Sequence, residues 1–331
     1  MRESLVSALC RLLLDCLRQA VKTSLTLFRV IVPIAIGVRL LELVGAVELL
    51  GDLLAPVMTL VDLPGSMGLV WATTLVTNIY GGMVVFAGVA PAAGLSVAQV
   101  TVLATMMLIA HAIPVEASIA RRAGTSFRAM ALLRVFGALL AGILLSQFYS
   151  LTGSLQQANR ALWSPPPRDP SWLGWLLGET QNLVSIFLII FCLLVLMRIF
   201  DKSGLSRLLT RLLQPVLTLL GISERAAPLA IIGMTLGLTY GGGLIIQEAQ
   251  AGQLSRSDVF NALTLLGICH SFIEDTLLMV VIGGHLSGTL LWRTLFALLV
   301  TWLVAQLLRR LPSRLLDRWF FARQQDRGSA R

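Results

Sequence analysis

Thr77–Phe86 reads TNIYGGMVVF, inside an apolar stretch of the length that a lipid bilayer demands. Adjacent glycines, a tyrosine and an asparagine are poor material for a plain membrane helix. Residues 238–249, LTYGGGLIIQEA, nearly repeat them. A chain that turns back within the bilayer needs backbone freedom at its tip, and glycine supplies it. Such a turn also frees N–H and C=O groups that lipid cannot satisfy, so they must face protein, water or a ligand. Asn78, Tyr80 and Tyr240 are suited to pair with those groups or with a bound solute. A plain packing role for the glycines would suffice for one pair. Matched pairs beside tyrosine favour two re-entrant helical hairpins, 66–92 and 226–250, with tips at Gly81–Gly82 and Gly241–Gly242–Gly243.

The composition around these stretches agrees. Of 331 residues, 56% are hydrophobic and 13% charged, and the mean hydropathy is +0.83. Soluble domains carry about 25% charged residues. Long apolar runs without a ten-residue alternation predict an all-α integral membrane protein rather than a barrel. The net charge of +9 comes from arginines at the ends of apolar segments. No basic stripe with interleaved aromatics accompanies it, so no nucleic-acid partner is expected. Cys10, Cys16, Cys192 and Cys269 show no paired spacing, which argues against a disulfide framework or a zinc ribbon. There is no Walker-type phosphate loop. With no nucleophile–base spacing either, an enzyme is not expected, and no cofactor is implied beyond a coupling H⁺ or Na⁺.

The sequence also repeats itself. LLAPVMTL (53–60) matches LLQPVLTL (212–219) at an offset of 159, as Arg39 matches Arg198. IYGG (79–82) matches TYGG (239–242) one residue later, and AHAIPVE (110–116) matches CHSFIED (269–275) back at 159. Landmarks in one order at one offset imply two homologous halves. The division is an amphipathic N-terminal helix (1–23), repeat 1 (24–151), an exposed Pro/Trp-rich linker (152–180), repeat 2 (181–308) and a basic cytoplasmic tail (309–331).

Lys and Arg cluster near the N-terminus, at Arg121/Arg122/Arg128, at Lys202/Arg207/Arg211 and at the C-terminus. All can be cytoplasmic only if each half crosses the membrane an odd number of times. The crossings assigned are 24–48, 97–120 and 129–150, then 182–200, 258–282 and 289–308. Segments 49–62 and 203–220 become amphipathic helices along opposite interfaces. Three crossings per half makes the repeats inverted, with both termini cytoplasmic in a bacterial inner membrane. Apolar outer helices leave room for a homo-oligomer in contact with membrane lipid.

A second pair of motifs follows each hairpin. The first helix carries His111, Pro114 and Glu116. Proline removes a helix hydrogen bond, so the helix is expected to open between His111 and Glu116. The second carries His270, Glu274 and Asp275; His270 and Glu274 share a face. Ionisable groups at membrane depth usually line a solute or proton path. The plainer alternatives are a local His–carboxylate hydrogen bond in each half, and Glu116 sitting at the interface beside Arg121. Gln247 and Glu248 close the second hairpin near the cytoplasm.

At these residues the chain resembles the nucleoside-recognition, or gate, domain family of bacterial inner-membrane proteins. That family includes spore-maturation membrane proteins and the membrane core of ferrous-iron permeases. The resemblance rests on the duplicated YGG hairpins and on HAIPVEASIARRAG and CHSFIEDTLLMV, and spans about 30–308. It implies an inverted-repeat core like that of concentrative nucleoside transporters, in which hairpin tips and interrupted helices hold the solute. The expectation is a secondary transporter of a small polar solute, nucleoside-like by resemblance and coupled to a proton or cation. Asn78, Tyr80, Gly81, Gly82, His111, Glu116, Tyr240, Gly241, Gly242, Gln247, Glu248, His270, Glu274 and Asp275 are the candidate binding residues. Two alternatives stay open: a divalent metal-ion permease, in which Cys269 would join the ligands, and a non-transporting assembly or signalling protein.

Overall fold

The computed structural model describes residues 5–163, 171–203 and 205–322. The described residues form an all-α, multi-span membrane fold. Five helical stretches are long and apolar enough to cross a bilayer: Cys10–Leu41, Val97–Arg122, Phe127–Thr152, Trp172–Leu196 and Ser287–Arg310. A sixth is bent through 90° between Leu49–Val61 and Ser66–Val76.

The first half runs α1 (Leu5–Leu43), α2 (Ala46–Met58), α3 (Ser66–Val76), α4 (Ile79–Ala93), α5 (Val97–Ile109), α6 (Ile113–Arg122) and α7 (Phe127–Thr152). The second runs α8 (Trp172–Ser203), α9 (Leu205–Leu219), α10 (Ala226–Leu236), α11 (Leu238–Gln250), α12 (Arg256–Ile268), α13 (Glu274–Val281) and α14 (Arg293–Arg310), with a π-helical turn over Ser287–Trp292 leading into α14. A short α15 (Ser313–Trp319) follows. Starts of corresponding elements fall at the 159-residue offset: Ala46 and Leu205, Ile79 and Leu238, Val97 and Arg256. The two central helices even begin with the same device. Ser96 and Gln99 form a capping box on α5, and Ser255 and Asp258 form one on α12. Each satisfies two orphan N–H groups of a helix start.

The burial pattern explains the layering. α5 and α12 are apolar all round and buried along nearly their whole length, as helices at the centre of a bundle must be. α7 flanks α5, and α14 flanks α12. α1 and α8 pack on one another through Ile31, Ile186 and Ile190. Their outer faces stay apolar: Leu14, Leu25, Phe136, Leu188, Leu295 and Leu299 are all exposed. In water such faces would be a liability; in hydrocarbon they are the solvent-facing surface.

α3 packs on α4 and α10 on α11 as two helical hairpins, and they turn earlier than the glycines suggest. α3 ends at Val76 and α4 starts at Ile79; α10 ends at Leu236 and α11 starts at Leu238. The turns are therefore at Thr77–Asn78 and at Gly237. The glycines lie in the first turn of the returning helix, where they permit close approach. A Cβ on Gly82 would collide with the Thr74 side chain, and one on Gly241 with the Gly233 backbone. Residues eight apart on one straight helix are separated by about 12 Å, so these contacts require folding back. They also fix the register. Gly82 pairs with Gly241 at 159, so the one-residue slip of the YGG match disappears and Tyr80 corresponds to Thr239, not Tyr240.

Two further features depart from the sequence reading. α1 runs unbroken across residue 23, joining the amphipathic start to the first crossing. α8 likewise begins at Trp172, shortening the linker. The described first part of the linker is tied down: Gln157 and Leu155 carbonyls accept from Val97 and Ala98 N–H at 2.9 and 2.8 Å. Asn159 Nδ2 donates to the Ile282 carbonyl at 3.0 Å. The linker thus ties the start of α5 to the end of α13.

Candidate functional site at the paired helix breaks

Each central helix stops abruptly and resumes after a short non-helical segment. α5 ends at Ile109 and α6 starts at Ile113; α12 ends at Ile268 and α13 starts at Glu274. Both breaks pass through a non-glycine residue with left-handed backbone, Ala112 at φ 47° and Ser271 at φ 42°, 159 apart. Such a conformation costs on the order of 1–3 kcal/mol and persists only where its surroundings enforce it. The enforcing contacts come from the hairpins. Ala112 N–H donates to the Thr74 carbonyl at 3.0 Å, and Phe272 N–H to the Met234 carbonyl at 2.9 Å. In both halves the end of the first hairpin helix therefore holds the break.

A helix that ends in the protein interior leaves carbonyls without partners. Two buried arginines supply the donors. Arg134 Nε donates to the Ile109 carbonyl and Arg293 Nε to the Ile268 carbonyl, both at 2.9 Å. Arg293 Nη2 also donates to the His270 carbonyl at 2.8 Å. Each arginine is 1% exposed. Sequence reading passed them over. The signal was present, because Arg134 and Arg293 also stand 159 apart, each within a stretch long and apolar enough to cross a membrane. Pro114 is not what opens the helix: it sits in the first turn of α6, where its missing N–H costs nothing. The second half breaks at the corresponding residue, Ile268, with Ile273 in place of the proline.

The histidines meet between the breaks. His111 Nδ1 donates to the Met107 carbonyl at 2.9 Å and His270 Nδ1 to the Leu266 carbonyl at 2.7 Å. A carbonyl can only accept, so both Nδ1 atoms carry hydrogen, and in the neutral ring Nε2 is an acceptor. The two Nε2 atoms face each other at 3.1 Å. Glu116 Oε1 lies 3.2 Å from one and 3.4 Å from the other. Its Oε2 is 2.5 Å from Arg134 Nη1. Glu116 is therefore buried in the centre rather than paired with Arg121 at an interface. The histidines pair across the halves rather than each with its own neighbouring carboxylate.

Asp275 is the second-half counterpart of Glu116. It offers a carboxylate oxygen within 4.8 Å of both histidines' ligand nitrogens. Glu274 and Asp275 are both partly buried, and Tyr80 of the first hairpin lies within electrostatic range of both. The remaining candidates separate from this cluster. Asn78 Oδ1 accepts from Gly81 N–H at 2.9 Å as the N-cap of α4. Gly81, Gly82, Gly241 and Gly242 are buried in the hairpin helices. The Tyr240 side chain lies outside the described residues. Gln247 is exposed and Glu248 partly so; Glu248 stands about 15 Å along α11 from its start. Cys269 turns its Sγ away, to 3.8 Å from Thr294 Oγ1.

Comparison with known proteins adds the family context. The chain is 27% identical over 289 residues to the uncharacterized membrane protein YvoD of Bacillus subtilis (strain 168), covering 86% of this chain and 91% of that protein. No solved structure gives a significant match. The family model described as nucleoside recognition (Gate) matches residues 183–286, from α8 through His270, Glu274 and Asp275. Residues 183–286 of this chain are a nucleoside-recognition Gate domain.

Proposed function

We propose that the chain is a secondary transporter of a small polar solute in a bacterial inner membrane, built from two inverted repeats whose helix breaks and hairpin tips enclose the binding site. One observation carries this: His111 and His270, one from each half, meet at 3.1 Å inside the helix breaks, where the hairpin ends also converge. Ionisable groups in that position are expensive unless they serve a path. Broken helices beside hairpin tips at a repeat boundary are the arrangement in which transporters hold solutes and coupling ions.

The 90° bend between Leu49–Val61 and Ser66–Val76 suits a helix lying along the interface before a re-entrant hairpin. In each half Thr74 or Met234 ties its hairpin to its break, so a solute that draws a tip inward also moves the break. The Gate domain supports a nucleoside-like solute, with Tyr80 and the carboxylates of 274 and 275 as its polar contacts. The direct test is a screen of nucleosides, nucleobases and amino acids for thermal stabilisation of the purified chain, followed by uptake into proteoliposomes. A stabilising solute whose uptake is lost in Asp275→Asn supports the proposal. Uptake unchanged in both Asp275→Asn and His270→Gln would remove the site from the path.

A further inference from the structure

We infer that His111, His270 and Glu116, with Asp275 closing the set, form a binding site for a divalent transition-metal cation of the Zn²⁺ or Fe²⁺ class. The inference goes beyond the transport reading and stands without it, because it rests on the mutual geometry of the ligand atoms.

His111 Nε2, His270 Nε2 and Glu116 Oε1 make a triangle with edges of 3.1, 3.2 and 3.4 Å. None of the three carries a hydrogen in the neutral-ring, ionised-carboxylate state, since both Nδ1–H groups are committed to backbone carbonyls and a carboxylate only accepts. A proton on any one of the three relieves two edges at most and leaves the other two atoms facing each other lone pair to lone pair. A cation at the centre satisfies all three at once. Metal–nitrogen and metal–oxygen bonds of about 2.0–2.1 Å at tetrahedral angles place ligand atoms about 3.3 Å apart, which is the size of this triangle. Asp275 offers a further carboxylate oxygen within 4.8 Å of a ring nitrogen of each histidine.

The surroundings are those of metal ligands. Ligating histidines usually donate their other ring N–H to a carbonyl or carboxylate, and ligating carboxylates are themselves hydrogen-bonded. Here Met107 and Leu266 supply the carbonyls, and the outer oxygen of Glu116 is charge-paired with the Arg134 guanidinium at 2.5 Å. Imidazole with carboxylate suits Zn²⁺, Fe²⁺ and their neighbours, while the hard ions Mg²⁺ and Ca²⁺ take oxygen. The Cys269 thiol, turned toward Thr294, does not convert the set to a soft one.

The full chain, purified in detergent and stripped with EDTA, would be titrated with Co²⁺ as a spectroscopic stand-in. One Co²⁺ per chain is expected, with the visible d–d absorption of a four-coordinate nitrogen/oxygen site and displacement by Zn²⁺. Loss of an outer-shell partner weakens metal sites about 10–100-fold, so loss of a direct ligand in His111→Gln or His270→Gln should weaken binding by more than about 100-fold and abolish the bands. Wild-type chain that is monodisperse and folded yet binds neither Co²⁺ nor Zn²⁺ overturns the inference without recourse to a variant. Binding that survives both histidine variants overturns it as well. Solute uptake that persists in EDTA would leave the transport proposal standing without an ion, and Co²⁺ binding without any solute response would do the reverse.

Discussion

At the scale of single residues, the buried arginines hold the site open. Arg134 serves two masters, the freed Ile109 carbonyl and the Glu116 carboxylate. Removing one partner of a buried ion pair leaves the other charge unmatched, typically at about 3–5 kcal/mol. Arg134→Met should therefore lower stability by that amount in a denaturant melt of the detergent-solubilised chain. Combining it with Glu116→Gln should recover a large part of the loss, and a double-mutant cycle with no coupling between the two would contradict the pairing. Pro114 makes the opposite case. Because the second half breaks with Ile273 in the same place, Pro114→Ala should leave the break intact and shift stability by less than about 1 kcal/mol, within the range of substitutions away from special features. A large loss in that variant would restore proline as the cause of the break.

At the scale of elements, the hairpins depend on glycines that differ sharply along one helix. A Cβ on Gly241 would run into the Gly233 backbone, whereas one on Gly243, two residues on, meets nothing within 4 Å. Gly241→Ala must push α10 and α11 apart, and overpacking of this kind typically costs about 1–3 kcal/mol. Gly243→Ala fills open space on an exposed helix face. It should stabilise by up to about 1 kcal/mol through helix propensity alone. Melting temperatures of the two variants should move in opposite directions. If Gly241→Ala left the melting temperature unchanged or raised it, α10 and α11 would not pack as a tight hairpin. The same comparison separates the two roles of small residues in membranes, a turn at a tip and an interface between helices, and here the buried glycines serve the interface.

At the scale of the molecule, the proposed inversion of the repeats has a direct consequence. Asp62 and Glu224 are both exposed, and each stands between a helix that runs across the hairpin and the hairpin itself. In inverted repeats they lie on opposite sides of the membrane; in parallel repeats they would share one. Single cysteines at the two positions, in a background lacking the native four, should react with an impermeant thiol reagent from opposite faces of the cell membrane. Labelling of both from one face would exclude the inversion and, with it, a binding site at the pseudo-symmetric centre. The linker bears on the same scale. Its hydrogen bonds to the start of α5 and the end of α13 join the two halves at those helix ends.

Composition and residue spacing suffice for the all-α, multi-span membrane class, the duplication at 159 and the two segments that turn back. These depend on composition, on hydrophobic run length and on residue identity at a fixed spacing, all of which are local properties of the chain. The sequence also marked His111, Glu116, His270 and Asp275 as candidates, because polar residues in apolar helices are conspicuous whatever the packing. Only the tertiary structure decided which atoms meet. His270 and Glu274, four apart, would share a face of an unbroken helix, yet the partner of His270 is His111 in the other half, since the helix breaks between them and the His270 Nδ1–H is held by the Leu266 carbonyl. Glu116 and Arg121 are close along the chain, yet Arg134 on the next helix takes the carboxylate. A helix break redirects every side chain after it, and burial excludes the water that would otherwise compete for each charge, so pairing in the centre follows from packing between helices rather than from spacing along them.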